Sequence, residues 1–413
     1  MAVSGVLVVY TLLIASSVYF VGAASNAGET CQLNLNGDLP KRNQPIILTK
    51  QNKSYALLIP KAQGNKGFVE LEKGDNIKLV CPGDKNRLRD TKTTSVDTKC
   101  QKDKEFTSNA NNNAGSFAIK DALCDLPPKP DVKDTKTRCS QTGKLYEIGF
   151  QAEGWHPLIS VCHLVDSADT LYTKHLAIGA ALKGAERESF RPKFETGSLN
   201  ELYKGFDPNS YYVQKAQDRN LAWVFKKYSS GNDSYLSRGH LAPDGDFLFA
   251  SWQFATYLYI NAAPQWQKIN GGNWLTVEKF VRKLAIKLNT DLEVITGTSG
   301  VLELPDDKGK LQKIHLNGNK IRVPEYFWKL VYDPQTSSGI GIITSNNPYL
   351  EKTATLKICK NICYENNWLN HNATIEFKDP SQGLTICCTV NELRKAIPEV
   401  PFVNVQAILR GPN

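Results

Sequence analysis

Ten cysteines restrict the folds open to this 413-residue chain more than any other property of its sequence. They are Cys31, Cys81, Cys100, Cys124, Cys139, Cys162, Cys359, Cys363, Cys387 and Cys388. In a chain that enters the secretory pathway this number indicates disulfide bonds, and zinc is the competing interpretation for the last four. Structural zinc sites usually contain a tight Cys-x-x-Cys pair or a histidine at ligand spacing, and neither is present here. We therefore expect most of the cysteines to form disulfides.

The start of the chain predicts export. An uncharged apolar run, Val6–Val21, is followed by small residues that favour cleavage near Ala23, as in a secretory signal peptide over residues 1–23. A membrane anchor is the alternative, but no basic cluster follows the run. Three N-glycosylation sequons, which agree with export, begin at Asn52, Asn232 and Asn372. We expect a secreted, extracellular protein with no stable membrane association.

The chain exceeds the size that one hydrophobic core usually reaches, so two domains are expected. All seven tryptophans lie at or beyond Trp155, which separates the first third chemically from the rest. Residues 24–124 predict a small β-rich, Lys-rich N-terminal domain with two disulfides, and residues 125–138 predict a linker. The short apolar runs behind this prediction are Pro45–Thr49, Tyr55–Pro60, Phe68–Leu71 and Ile77–Val80.

The charge of the chain is concentrated in this first third. Residues 25–138 contain 20 basic and 14 acidic residues, and so carry +6 of the formal net charge of +9. This excess favours anionic partners without selecting one. A nucleic-acid-contacting surface and an ordinary solvated Lys-rich surface both remain open for this domain.

Residues 139–413 predict a mixed α+β domain. Strand-like runs occur at Leu145–Gln151, Leu158–Leu164, Leu292–Gly297, Tyr326–Val331 and Ile340–Thr344. A disulfide between Cys139 and Cys162 would pin the hairpin of the first two runs. The apolar residues Val277, Phe280, Val281, Leu284 and Leu288 have the spacing of one buried helical face.

One of the six histidines has surroundings that suggest chemistry. His240 lies in Ser237-Arg-Gly-His-Leu-Ala-Pro-Asp-Gly-Asp-Phe247, and about twenty residues later follows Asn261-Ala-Ala-Pro-Gln265. The helix with the apolar face is then preceded by Asn270. Glu278 and Arg282 stand four residues apart on this helix, so they are expected to share its polar face. The other five histidines indicate only structural or solvated positions.

These blocks resemble the DNA/RNA non-specific endonucleases, which are ββα-metal (His-Me finger) nucleases. Arg238-Gly-His240 is similar to the family's Asp-Arg-Gly-His signature, and Asn261-Ala-Ala-Pro-Gln265 is similar to its Asn-x-x-Pro-Gln block. Asn270 with Trp274, Glu278 and Arg282 is similar to the helix that follows. The resemblance covers about residues 140 to 400 and is strongest to the secreted arthropod nucleases. It implies a ββα-metal nuclease domain built on a mixed or antiparallel sheet.

The resemblance also implies a role for each residue. His240 would be the general base that activates water, and Asn261 would be the direct protein ligand of Mg²⁺, with Mn²⁺ as a substitute. Glu278 would not touch the metal but would accept a hydrogen bond from one of the metal-bound waters, and Asn270 would position metal-bound water or phosphate. The residues expected to neutralise phosphate charge are Arg238, Arg282 and an upstream arginine, Arg187 or Arg191.

The function implied is Mg²⁺-dependent hydrolysis of DNA and RNA without sequence specificity, giving 5′-phosphate products. Phosphate contacts carry little sequence information, so a site built to hold the backbone cleaves without base preference. Ser237 departs from the family pattern, because an Asp is usual there and Ser brings no charge. The rival interpretation is a protein with the nuclease fold that binds nucleic acid with little or no turnover.

Overall fold

A computed structural model describes residues 30–63, 66–108, 116–185, 191–203, 205–228, 234–369 and 375–412. The expected signal peptide and the sequons at Asn232 and Asn372 lie outside these residues, whereas Asn52 is exposed in a turn. Within the described ranges, no helix has both the length and the apolar character needed to cross a membrane.

The N-terminal domain is built from β-strands. They are β1 (Thr30–Asn34), β2 (Ile46–Gln51), β3 (Ser54–Leu57), β4 (Lys61–Gln63), β5 (Lys66–Glu72), β6 (Asn76–Val80), β7 (Ser95–Lys102), β8 (Glu105–Ser108) and β9 (Ser116–Ala118). An antiparallel sheet of order β3-β2-β6-β7-β8-β9 packs beside a small sheet of order β1-β5-β4. In β7, buried Val96, Thr98 and Cys100 alternate with exposed residues, because successive side chains of a strand point to opposite faces. The β-rich character predicted for this region is confirmed.

The remaining strands are β10 (Asp131–Arg138), β11 (Lys144–Gln151), β12 (Trp155–Leu164), β13 (Asp169–Ala177), β14 (Leu236–His240), β15 (Ala262–Trp266), β16 (Leu292–Ser299), β17 (Glu303–Pro305), β18 (Leu311–Lys313), β19 (His315–Asn317), β20 (Lys320–Arg322), β21 (Tyr326–Asp333), β22 (Ser338–Ser345), β23 (Thr385–Cys388) and β24 (Ala407–Ile408). Their main sheet has the order β10-β11-β12-β13-β16-β21-β22-β23, and β24 pairs in parallel with β22. Residues 131–138, expected to belong to a linker, instead form its edge strand.

Helices lie between the strands along the described chain. They are α1 (Asn209–Tyr212), α2 (Gln214–Asn220), α3 (Ala222–Tyr228), α4 (Ala250–Phe254), α5 (Gln267–Ile269), α6 (Leu275–Leu288) and α7 (Val390–Ala396). The predicted helix is α6, which buries Val277, Val281 and Leu284. On the other face of the sheet, Leu393 of α7 packs in a second core with Trp328.

All ten cysteines form disulfides, as predicted. The pairs are Cys31–Cys100, Cys81–Cys124, Cys139–Cys162, Cys359–Cys388 and Cys363–Cys387. The first joins the two sheets of the N-terminal domain, and the third closes the hairpin of β11 and β12. The last two fasten the segment around residues 359–363 to β23.

The N-terminal domain and the main sheet share one hydrophobic core. Buried residues of both, among them Leu33 and Leu182, belong to a single cluster. Gly67 and Gly184 meet backbone to backbone, and a Cβ on Gly184 would overlap Gly67. Lys78 also pairs with Glu153 of the β11–β12 turn at 3.3 Å. The two parts are therefore packed as a unit rather than joined by a free tether.

Candidate active site

The site is built on two short strands and a helix. Strands β14 and β15 pair antiparallel, with His240 opposite Ala262, and the chain then enters the helical run that contains α6. Strand β15 is buried along its whole length, whereas His240 at the end of β14 is half-buried, so the chemistry-bearing residues lie on a packed scaffold. The unit has the ββα order that the sequence predicted.

His240 ends β14 in an aromatic setting. Its ring lies 5.0 Å from that of Phe194 and 4.8 Å from that of Tyr257. Nε2 is enclosed with no hydrogen-bond partner among the described residues. Burial lowers the pKa of His240 to about 4, the carboxylate of Asp244 opposes this shift, and Arg191 adds to it. The imidazole is therefore uncharged at neutral pH, which is the form that accepts a proton.

Arg238 is held by hydrogen bonds and aromatic faces. Its Nε donates to the Tyr259 hydroxyl at 3.0 Å, and its Nη2 donates to Oδ1 of Asn209 at 2.8 Å. The guanidinium also lies within 5.2 to 5.8 Å of the ring centres of Phe194, Tyr212 and Tyr259. These contacts fix the orientation of a half-buried cation that can still receive a phosphate oxygen.

Arg238 faces an open groove of about 610 Å³. We call this space the Arg238 groove, and its charged and aromatic lining includes Lys129, Lys193, Phe194, Glu195, Asp207 and Arg238. Phe194 also contacts the His240 ring, so the groove borders the predicted base. Such a channel, with cations beside aromatic rings, has the chemistry that a phosphodiester backbone needs.

Asn261 is locked into the backbone around it. Its Oδ1 accepts from the Ala242 N–H, and its Nδ2 donates to the carbonyls of Ala242 and Thr256, each at 2.9 Å. The residue has no solvent exposure. The amide is thus used by the backbone, and Asn261 ties the loop after β14 to the entry of β15. That Asn261 holds the metal stays a prediction, which this enclosed geometry does not favour.

Asn270 is placed differently, at a kink before α6. Gly272 has non-helical angles, and a Cβ there would lie 2.7 Å from Oε1 of Gln382. Asn273 anchors the kink by donating to the Gly383 carbonyl at 2.8 Å. The Asn270 side chain is half-buried and makes no hydrogen bond within the described residues. Near the start of α6, Asn270 therefore offers an amide oxygen that has no partner among the described residues.

Glu278 and Arg282 share one face of α6, as their spacing predicts, but this face is turned largely toward the interior. Glu278 is 9% exposed, and Arg282 donates from Nη1 to Oδ1 of Asp246 at 2.9 Å. Burial raises the pKa of Glu278 to about 7, although the charges of Arg282 and Lys329 oppose the shift. The helix presents these polar residues to the interior because a buried charge network lies beneath them.

Asp246 is the centre of that network. It is 2% exposed, and its Oδ2 lies 2.8 Å from Nε2 of His175. Burial alone would raise the pKa of Asp246, but the His175 hydrogen bond and the Arg282 charge hold it well below its usual range. Lys329, 1% exposed, donates to Thr296 and lies 5.1 Å from the Trp274 ring centre. In the sequence, Lys329 is a single charged residue within the otherwise apolar start of β21, and this pattern could have indicated a buried partner for it.

The other predicted site residues are more peripheral. Ser237 donates to the Gln265 carbonyl at 2.9 Å, which supports the β14–β15 pairing without adding charge. Arg191 is exposed and close enough to influence the pKa of His240. Arg187 lies outside the described residues. Among the described side chains, no group of three or more His, Cys, Asp or Glu residues could hold a metal ion.

Comparison with known proteins decides the family. The model of the DNA/RNA non-specific endonuclease family matches residues 141–393, which contain both strands, α6 and the buried network. The chain belongs to the DNA/RNA non-specific endonuclease family. It is accordingly an endonuclease of a metal-dependent family whose substrates are nucleic acids, and the predicted family and fold are confirmed.

Relatives resemble this endonuclease beyond the matched domain. It is 33% identical over 370 residues to "Salivary endonuclease" of Lutzomyia longipalpis, with 89% of this chain and 83% of the relative covered. It is 26% identical to "Salivary endonuclease" of Culex quinquefasciatus, with 90% of each covered. "Salivary protein Tsal2A" of Glossina morsitans morsitans is 27% identical, with 92% of this chain and 94% of the relative covered. The similarity thus includes much of the N-terminal domain.

The endonuclease also contains a buried histidine that predicts acid sensitivity. His163 is 1% exposed, its Nδ1 donates to the Thr170 hydroxyl, and that hydroxyl donates to the Ile260 carbonyl beside the site. Burial lowers the pKa of His163 to about 3. The unfolded chain binds this proton near pH 6.5 and the folded chain does not, so stability is lost as the pH falls below that value.

We expect this one group to cost roughly 2 kcal/mol of unfolding free energy between pH 7 and pH 5. Urea unfolding of the wild type and of His163→Gln at both pH values measures it. The variant cannot take up the proton, so its stability should depend less on pH by that amount. Equal pH dependence in the two proteins would show that His163 does not contribute.

Proposed function

We propose that this endonuclease is secreted and hydrolyses the phosphodiester bonds of DNA and RNA with Mg²⁺, without sequence specificity, leaving 5′-phosphate ends. The observation that carries the proposal is His240, an uncharged imidazole at the end of β14 beside the Arg238 groove. The ring is oriented by packing against Phe194 and Tyr257, so it needs little reorganisation to accept a proton from an attacking water.

The metal fits Asn270 better than Asn261. Asn270 offers a neutral amide oxygen with no partner in the described structure, and Glu278 carries a carboxylate on the same helical run. Mg²⁺ takes few protein ligands and keeps several waters, which suits a single amide with a carboxyl group further along the helical run. When bound, Mg²⁺ would supply positive charge to the phosphate and to the departing 3′ oxygen. We assign Asn270 as the ligand and Glu278 as the acceptor for one of its waters.

Arginines would neutralise the phosphate. Arg238 has its orientation fixed by Tyr259 and Asn209, so its remaining N–H groups are available in the Arg238 groove. Arg282 is held by Asp246, and its side chain remains 12% exposed. Arg191 is exposed, and for Arg187, which lies outside the described residues, the role rests on the sequence alone. Positioned donors of this kind stabilise charge that develops on phosphate oxygens during hydrolysis.

Secretion is supported by the five disulfides, since such bridges persist in oxidising compartments. Ser237 brings no charge, but its hydroxyl still donates to the Gln265 carbonyl and supports the β14–β15 pairing. Since the chain also carries His240 and Glu278, we favour turnover over the rival interpretation of binding alone.

Plasmid nicking with controlled metal tests the proposal. We expect cleavage to stop in EDTA and to return when Mg²⁺ is added in excess, with both DNA and RNA cut and 5′-phosphates on the products. End-labelling before and after phosphatase treatment identifies the ends. Nicking that persists after exhaustive chelation would contradict the metal requirement, and binding without nicking would support the rival interpretation.

A further inference from the structure

The Arg238 groove does not end at the nuclease domain. One of its cationic residues, Lys129, belongs to residues 125–130, which we call the connecting segment and which follow the N-terminal domain. The same lysine, with Lys193 and Glu195, also lines an adjoining cavity of about 310 Å³ between the N-terminal domain and the nuclease domain. The groove beside the predicted base therefore continues across the junction.

We propose that the connecting segment forms a wall of the substrate groove, and that Lys129 binds a phosphate of the nucleic acid strand away from the bond that is cleaved. This inference rests on the proposed function, because it takes the occupant of the Arg238 groove to be the substrate backbone. The N-terminal domain would then take part in substrate binding, because it holds this wall in place.

The backbone that carries Lys129 is rigid. Three prolines, Pro127, Pro128 and Pro130, surround the lysine and restrict the chain around it. The Lys129 N–H donates to the Pro82 carbonyl at 3.0 Å. An exposed side chain on a fixed backbone loses less freedom on binding than one on a mobile loop.

The N-terminal domain provides that support through a buried amide. Asn86 is 1% exposed, and its Nδ2 donates to the carbonyls of Pro82 and Leu126 at 3.0 and 3.1 Å. Its Oδ1 accepts from the Leu126 N–H at 3.0 Å. The start of the connecting segment is thus bound to the loop after β6. Since the domain shares its core with the main sheet, this wall has a fixed position relative to Arg238.

Residues 193–195, which also line the groove, are fixed as well. Glu195 exchanges backbone hydrogen bonds with Tyr257 and Tyr259, so residues 193–195 run as an extended segment beside the site. Phe194 turns inward onto His240, and the exposed Lys193 precedes it. Lys129 of the connecting segment and Lys193 of the nuclease domain therefore line the groove with Arg238.

Acidic residues also line the groove, and they limit where a phosphate can bind. Glu195 and Asp207 are exposed there, against the three cations Lys129, Lys193 and Arg238. Oδ1 of Asp207 accepts from the Asn209 N–H, so part of the negative charge of this carboxylate is offset by a backbone donor. A polyanion would therefore contact discrete points at the lysines and the arginine rather than a uniform positive surface. Each point contact has a measurable salt dependence.

Salt-dependent binding tests the inference in the full-length protein. Lys129→Gln and Lys193→Gln are compared with Lys120→Gln, a matched control that removes an exposed lysine of the N-terminal domain away from the groove. Fluorescence anisotropy of a labelled oligonucleotide in EDTA, between about 50 and 200 mM salt, gives the slope of log affinity against log salt without cleavage.

We expect the slope to become shallower by about 0.7 on single strands or about 0.9 on duplex for Lys129→Gln, and by the same amount for Lys193→Gln. Lys120→Gln should leave it unchanged. A Lys129→Gln slope equal to that of Lys120→Gln would overturn the inference, even if Lys193→Gln shows its shift. Failure of the proposed function is a separate result, namely the absence of Mg²⁺-dependent nicking by the wild type.

Discussion

Replacement of His240 by Ala is expected to lower the rate of Mg²⁺-dependent nicking by about 10²- to 10⁴-fold, the usual contribution of a positioned general base. The ring is the uncharged imidazole at the end of β14, and its low pKa leaves it able to accept a proton at neutral pH. Removing it leaves the Arg238 groove intact. Binding of an oligonucleotide in EDTA should therefore change little.

Initial rates of supercoiled-plasmid nicking by wild type and variant measure this effect. His315→Ala is the matched control, because His315 is a partly exposed histidine in β19 that lies outside the site. Circular dichroism and thermal unfolding establish that both variants are folded. If folded His240→Ala nicks as fast as His315→Ala does, another group must activate the water.

The parts of this endonuclease that the sequence predicted well are those set by local pattern. Helix α6 was visible from apolar spacing, and β11 with β12 from two apolar runs near a pair of cysteines. The order of the three motif blocks identified the ββα unit. Each of these signals lies within one short stretch of chain, so no tertiary contact was needed to recognise it.

The charge network could not be predicted in the same way. Asp246, His175 and Lys329 come from three separate segments, and only the packing of β13 and β21 against α6 brings them together. The spacing of Glu278 and Arg282 predicted a shared polar face, but helical periodicity does not tell whether such a face meets solvent or a buried counter-charge. Burial of a charge depends on its partners, and these are distant in sequence.

The N-terminal domain shows the same limit at the level of architecture. Proline and charge at residues 125–138 are typical of linkers, yet residues 131–138 pair along the main sheet from the point where the prolines end. A truncation that begins near Lys136 would therefore remove an edge strand and uncover a shared core. Single substitutions such as Lys129→Gln separate electrostatics from folding, which the truncation cannot do.

Substitution of Asn270 and of Asn261 tests which of the two amides is the metal ligand and which is structural. Asn270→Ala is expected to reduce Mg²⁺-dependent nicking by about 10²-fold or more, because a bound metal supplies several kcal/mol of charge stabilisation. Its free energy of unfolding should stay within about 0.5 kcal/mol of wild type, since the half-buried side chain has no protein partner. Asn270→Asp, which keeps an oxygen at that position, should retain a Mg²⁺ response.

Asn261→Ala should behave in the opposite way. The substitution leaves the Ala242 N–H and two carbonyls buried without their partner, at roughly 1 to 3 kcal/mol each, so we expect a loss of about 3 kcal/mol or more in unfolding free energy. Urea unfolding and the Mg²⁺ dependence of nicking, measured on both variants, separate the two roles. A stable Asn261→Ala protein that has lost its Mg²⁺ response, beside an active Asn270→Ala, would return the metal to Asn261. The reverse result would establish that burial, rather than position in a motif, decides which amide can meet a hydrated cation.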